Sequence, residues 1–367
     1  MTRPARVLII DDSAAVRRLL TDILSGDPLV NVAGVAPNAT VAMEKLAELS
    51  PDVITLDVEM PDVNGLELLA RIRSVAPRLP IIMFSSLTQK AAATTLEALA
   101  LGATDYVTKP AQTGSREASV AQVRDQLIPK IKALAMQDAE PRPARARVTP
   151  PRPPVPDASA RPEILAVGAS TGGPNALVDL FGALPAELPV PVVIVQHMPP
   201  VFTGLLAERL TAKGPLRFHE ARDGDVLQPG QAWIAPGNYH MRIERTARQP
   251  APVIRLGQEA PENSCRPAVD VLFRSVADAY GENALAVVLT GMGQDGLKGA
   301  ERLRARGARI IVQDEATSVV WGMPGFVARA GLAESVLPLP EIAGEIRRRM
   351  LMVGRGSSQR TGERAWT

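Results

Sequence analysis

The chain has 367 residues, room for two domains with a core each. Apolar residues make up 46% and charged residues 22%, and the formal net charge of +2 leaves no basic footprint for bulk nucleic-acid binding. The single cysteine, Cys265, excludes an intrachain disulfide and argues against a cysteine-based metal site.

The first apolar run, in MTRPARVLIIDDS, is too short for a signal peptide, and no stretch approaches the ~20 apolar residues of a membrane helix. A cytoplasmic protein without membrane insertion is expected.

In chain order, Arg6–Ile10, Val30–Val35, Val53–Leu56, Ile81–Phe84 and Tyr106–Val107 read as strands. Between them, Ala14–Ser25, Ala39–Leu49, Leu66–Val75 and Lys90–Leu101 read as amphipathic helices, with another over Gln122–Ala135. This alternation predicts a parallel sheet covered on both faces. Pro141 to Pro162 then carries eight prolines, several arginines and almost no bulky apolar residue, the composition of a semi-rigid linker. The pattern resumes with strands at Ile164–Gly168, Val190–Val195, Ala284–Leu289 and Ala308–Val312. Helices are expected at Gly172–Gly182, Phe202–Ala212, Pro267–Tyr280 and Leu297–Arg306. Leu216–Leu256, with Pro-Gly turns at 229–230 and 236–237, reads as hairpins beside the main sheet.

Asp11 and Asp12 follow the first strand and Asp57 follows the third. The carboxyl ends of parallel strands face the crevice where ligands bind. Three carboxylates there repel one another, and a hard divalent cation such as Mg2+ relieves the repulsion. Ser85 and Lys109 end the next two strands. A hydroxyl and an ammonium beside a metal-bound carboxylate cradle a phosphoryl group on Asp57. Lys109–Pro110 is a candidate cis bond that would aim the lysine.

These motifs, IIDDS, ITLDVEMPDVNGLELL, IIMFSSLT and GATDYVTKP, resemble a response-regulator receiver domain over residues 5–125. The resemblance implies phosphorylation of Asp57 by a histidine kinase. It implies Mg2+ held by Asp12, Asp57 and the Glu59 carbonyl, with Asp11 assisting, and Ser85 and Tyr106 as switch residues. Val63–Asn64–Gly65 departs from the usual Asp-Gly turn, but Asn tolerates the same conformation.

In ILAVGASTGGP a serine, Ser170, follows a buried strand, and glycines and a proline lead into a helix. Such a turn exposes a hydroxyl near free N–H groups at a helix N-terminus. A phosphate-binding turn is the competing reading, but neither nucleotide fingerprint is present. Of three histidines, His197 in VVIVQHMPP ends the next strand. His219 lies in a charged turn region, and His240 is a candidate for the site rim. Asp295 sits in the glycine-rich loop of AVVLTGMGQDG, after a third buried strand. Serine, histidine and aspartate at three strand ends point to a nucleophile, a base and an orienting acid.

GASTGG, VQHMPP, WIAPG, RPAVDVLF and LTGMGQDG are similar to the catalytic domain of the chemotaxis protein-glutamate methylesterases, the CheB family, over roughly residues 163–350. The resemblance implies two doubly wound α/β parallel-sheet domains: a receiver (1–125) and a Rossmann-like serine hydrolase (163–353). A helix and Pro-rich linker (126–162) join them, and a polar tail (354–367) follows. It implies hydrolysis of glutamate γ-methyl esters, and deamidation of certain glutamines, on methyl-accepting chemotaxis receptors. Ser170 would attack, His197 would serve as base and Asp295 would orient it. Backbone N–H groups near Thr171 and Met292 would hold the oxyanion, with no cofactor in this domain. A histidine kinase of the chemotaxis type would be the phosphodonor. The unphosphorylated receiver is expected to cover the Ser170 cleft and to uncover it on phosphorylation. Three alternatives are an inactive scaffold, a small-ester hydrolase and a DNA-binding output. The intact trio opposes the first and the absence of a recognition helix opposes the last.

Overall fold

The computed structural model describes residues 3–351 apart from 62, 111–115, 136–160 and 247–248. Residues 136–160 of the expected linker and the whole expected tail lie outside these residues.

The first half places β1 (Ala5–Ile10), β2 (Val30–Ala36), β3 (Val53–Asp57), β4 (Ile81–Ser85) and β5 (Asp105–Thr108) in one sheet, in the order β2-β1-β3-β4-β5. All its pairings are parallel. Helices α1 (Ala14–Ser25), α2 (Ala39–Leu49), α3 (Gly65–Val75), α4 (Gln89–Ala100) and α5 (Arg116–Ala135) cover both faces. Alternation along the strands decides which helix each residue meets. Val7 and Ile9 pack with Leu20 and Leu24 of α1 and Leu127 and Ile131 of α5. Leu8 and Ile10 pack with α2, α3 and α4. Side chains of Ser13, Asn38, Asn64 and Thr88 accept N–H groups of the first turns of α1 to α4. The Asn64 departure therefore costs nothing.

The second half is a seven-stranded, all-parallel sheet ordered β14-β13-β12-β6-β7-β9-β8. Its strands are β6 (Ile164–Ala169), β7 (Val192–Gln196), β8 (Arg217–Glu220), β9 (Gln231–Ile234), β12 (Ala284–Val288), β13 (Arg309–Gln313) and β14 (Ser335–Leu337). Its helices are α6 (Gly173–Gly182), α7 (Phe202–Lys213), α8 (Val269–Tyr280), α9 (Leu297–Ala305), α10 (Met323–Arg329) and α11 (Leu339–Leu351). Leu165, Val167 and Ala169 face the cluster that holds α6, α7 and α11, while Ile164 and Ala166 face that of α8, α9 and α10.

The expected hairpins are only partly found. β10 (His240–Thr246) and β11 (Gln249–Gly257) form an antiparallel pair. β8 and β9 instead pair in parallel, Phe218 with Ala232, and extend the main sheet. The ten residues between them are a crossover, which a parallel pair requires.

The winding direction reverses at β6: the chain passes from it to β7 on one side, and after β11 it returns to place β12 on the other. That is a topological switch point, where open α/β sheets carry their ligands.

The halves share one apolar cluster. Leu96, Leu99 and Tyr106 of the first belong to it with Phe202, Leu206 and Leu210 of the second. The Tyr106 and Phe202 rings stack. Asn175 Nδ2 donates to the Leu99 carbonyl at 2.7 Å and Arg209 Nη1 to the Leu96 carbonyl at 2.8 Å. Carbonyls at the end of α4 thus accept donors across the interface.

Candidate active site and receiver site

Ser170 directly follows β6. Its N–H donates to the Thr290 carbonyl at 3.1 Å, and its carbonyl accepts from Gly173 N–H at 2.8 Å and Gln196 Nε2 at 2.9 Å. Gly172 holds φ 76, where a Cβ would also strike Val319. That glycine lets the strand turn sharply into α6. Gly291 is equally demanded, since a Cβ there would lie 2.8 Å from Ser170 Cβ and collide with Met323 Sδ. The turn of Ser170 and the loop of Met292 are therefore in direct contact. Among the described residues, the backbone N–H groups of Thr171 and Met292 have no acceptor.

His197 follows β7 and Asp295 lies beyond β12, as the sequence predicts. His197 Nε2 and Asp295 Oδ2 are 2.8 Å apart. The Asp295 carboxylate also accepts the N–H groups of Val269 (2.7 Å), Asp270 (3.0 Å) and Gly296 (3.0 Å) and the Asn263 amide (2.9 Å). Val269 and Asp270 open α8, whose N-cap residue, Ala268, offers no side-chain acceptor. Asp295 fills that place at the positive end of the helix dipole. Burial pushes the Asp295 pKa up, but the bonds from His197 and the two helix N–H groups outweigh it and hold it below the usual value.

With Nε2–H committed to Asp295, Nδ1 is the basic nitrogen of His197. Cys265 Sγ lies 3.5 Å from Nδ1. Ser170 makes no side-chain hydrogen bond to His197 in this arrangement. Burial alone lowers the His197 pKa. Cys265 and Asp295 more than offset that and raise it to about 10. Neither Cys265 nor Asn263 stands out in the sequence as a site residue. Both come from the loop 262–266, stapled by reciprocal Glu262–Cys265 backbone bonds and by Arg266, which donates to Asn238 Oδ1. The neighbouring RPAVDVLF motif is the sequence signal that marks the region.

The other two histidines have different hydrogen-bond partners. His240 is buried, with Nε2 3.1 Å from the Ala260 carbonyl. His219 bonds to Gln231 beside a polar groove of about 640 Å3, lined also by Glu220, Arg222 and Trp233, that includes none of the trio.

In the receiver, Asp11, Asp12 and Asp57 bring carboxylate oxygens within 4.8 Å of one another. Lys109 Nζ is 2.8 Å from Asp57 Oδ1 and 3.4 Å from Asp11 Oδ2. Asp57 Oδ1 also accepts Glu59 N–H at 3.2 Å. Burial raises the Asp57 pKa to about 6, with Lys109 opposing it. Asp57 Oδ2 is buried without a hydrogen-bond donor, and Asp11 Oδ2 has only the Lys109 ammonium, at 3.4 Å. These under-satisfied oxygens in an all-oxygen acidic cluster fit a hard divalent cation.

Ser85 Oγ engages Thr95 Oγ1 at 2.7 Å rather than Asp57. Tyr106 lies at the interface, with Lys130 Nζ 5.3 Å from its ring centroid. Among the described residues the cis bond falls at Arg266–Pro267, not at Lys109–Pro110. Lys109 reaches Asp57 without it.

The response regulator receiver domain family matches residues 7–120, and the CheB methylesterase family matches residues 165–346. A protein-glutamate methylesterase/protein-glutamine glutaminase of Trichodesmium erythraeum is 51% identical over 94% of this chain and 99% of its own. One so named from Nocardioides sp. is 50% identical over 94% and 95%. The solved CheB methylesterase catalytic domain of Thermotoga maritima is 40% identical, covering 50% of this chain and 97% of its own with a TM-score of 0.49. From the match along nearly its whole length, the chain belongs to the CheB family, a response-regulator receiver joined to a methylesterase domain.

Proposed function

We propose that the protein hydrolyses glutamate γ-methyl esters, and deamidates certain glutamines, on methyl-accepting chemotaxis receptors at the cytoplasmic side. The observation that carries this is the His197–Asp295 pair, 2.8 Å apart and held beside Ser170 at adjoining strand ends. Ser170 Oγ attacks the ester carbonyl carbon and its proton passes to His197 Nδ1. The carbonyl π electrons move onto oxygen, where the N–H groups of Thr171 and Met292 receive the charge. Collapse breaks the bond to methoxide, which leaves as methanol with the His197 proton. Water then attacks the acyl-enzyme, giving its proton to Nδ1. The glutamate is released and the proton returns to Ser170. With a glutamine, ammonia leaves instead.

The receiver governs access to this site. A chemotaxis-type histidine kinase phosphorylates Asp57. Asp11, Asp12, Asp57 and the Glu59 carbonyl would hold Mg2+, which supplies charge neutralisation during phosphoryl transfer. Lys109 steadies the phosphoryl oxygens. Ser85 and Tyr106 respond, and the α4–β5 face loosens from α6 and α7. The test is methanol release from membranes carrying methylated chemoreceptors, with and without a small phosphodonor and Mg2+. Donor-stimulated release, abolished in a folded Ser170→Ala variant, is the expected result. Release that survives Ser170→Ala refutes the nucleophile, and release indifferent to the donor refutes the regulation.

A further inference from the structure

Asp295 has a second carboxylate beside it. Asp270 is 1% exposed and Asp295 2%. Burial raises the Asp270 pKa and the Asp295 charge adds to the rise, although Gly299 N–H, at 2.7 Å from Asp270 Oδ1, counters it. Two buried like charges this close need a donor between them.

Asn263 is that donor. Its Nδ2 lies 2.9 Å from Asp270 Oδ2 and 2.9 Å from Asp295 Oδ1. A side-chain amide carries two N–H donors and no charge, so it can satisfy both carboxylates at once. A lysine would add a charge and a serine would offer one proton. Asn263 sits at φ 52 and Ser264 at φ 61, two left-handed residues in succession. Asparagine enters that region more readily than most residues. Asn263 is exposed as a residue, yet its amide reaches inward to both carboxylates.

We infer that Asn263 is a positioning residue of the reaction: its amide bridges Asp270 and Asp295 and keeps Asp295 aimed, as a carboxylate, at His197 Nε2. The inference rests on Ser170, His197 and Asp295 acting as the triad. Without the bridge, the two carboxylates face each other. Either the pair takes up a proton or Asp295 swings away, and His197 loses its orientation. The effect reaches the substrate only through His197, so it falls on kcat and not on KM.

The test uses the full chain with phosphodonor, Mg2+ and methylated receptor membranes. Asn263→Gly removes the amide and keeps the left-handed backbone. Its kcat falls on the order of tenfold or more, the usual effect of taking a hydrogen bond from a buried charge, with KM unchanged. Asp270→Asn is then added. The amide oxygen it introduces still accepts Gly299 N–H, and the second charge is gone, so most of the lost kcat returns. A residue that merely braced the loop would not be rescued this way. Asn263→Asp, of the same shape and also at home at positive φ, gives a parallel comparison through its own Asp270→Asn partner. Wild-type kcat in Asn263→Gly, or double variants that fold but stay as slow as the singles, overturns the inference. Ser170→Ala in the same assay separates the two readings. If it is dead while Asn263→Gly is fully active, only the role of Asn263 falls. If it releases methanol like the wild type, the triad falls and this inference with it.

Discussion

The Tyr106 ring of the receiver lies flat on the Phe202 ring of the hydrolase, centroids 4.7 Å apart and planes 8° from parallel. Phe202 opens α7, five residues after His197. Between them Val201 holds φ 75, a strained value for a β-branched residue. The stack thus joins the strand that carries Tyr106, the proposed switch residue, to the segment that follows His197, the proposed base.

Tyr106→Leu keeps the apolar bulk and removes the stack. An aromatic pair contributes about 0.5–1.5 kcal/mol beyond its area, so basal methanol release without phosphodonor should rise roughly two- to tenfold. The phosphodonor should then add correspondingly less. Unchanged basal release would show that the stack does not hold the closed arrangement.

Cys265→Ala frees Nδ1 of His197. Cys265 is the largest of the influences that raise the His197 pKa against burial, so its loss lowers that pKa. The base must be neutral to accept the Ser170 proton. The acid limb of the kcat profile should therefore move to lower pH in the variant, with more activity near neutrality. A pH–rate series on both proteins checks the direction. A shift to higher pH would contradict the assignment of Nδ1.

Gly291→Ala should cost both activity and stability. Its Cβ would lie 2.8 Å from Ser170 Cβ, so the turn or the loop must yield. Overpacking of this kind typically costs about 1–3 kcal/mol. A lower unfolding midpoint and a drop in kcat of about tenfold or more are expected. Wild-type kcat would mean that Ser170 and the Met292 loop can separate without consequence.

Chelation should divide the two halves. EDTA should abolish the response to phosphodonor, because Asp11, Asp12 and Asp57 then lack the cation that reconciles their charges. Basal hydrolysis should persist, since Ser170, His197 and Asp295 involve no metal in the proposed route. A basal rate that also collapses with EDTA would overturn this division.

Much of this architecture is legible in the residues. Ala14–Ser25 and Ala39–Leu49 form helices at the expected ends, because apolar spacing and the Ser13 and Asn38 caps agree. Strand-end placement brings Asp57 to Lys109 and His197 to Asp295. The β8–β9 pairing is not legible. Short strands flanking a Pro-Gly turn read locally as a hairpin, and only the sheet edge provided by β7 makes them parallel neighbours. Cys265 and Asn263 are hidden for the same reason. ENSCRP carries the composition of a turn, while its partners lie 68 residues upstream at His197 and 32 downstream at Asp295. The Tyr106–Phe202 contact depends on how two complete domains meet, which no local pattern encodes.

The seat of Asp295 at the start of α8 ties the proposed catalytic carboxylate to the folding of that helix. Besides His197, the groups that hold this carboxylate ionised are the first N–H groups of a helix that packs against the central sheet. These N–H groups belong to the fold of the second half itself. On the proposed regulation, phosphorylation of Asp57 would therefore have no acid to assemble. It would change who may approach Ser170 and what lies against Nδ1 of His197.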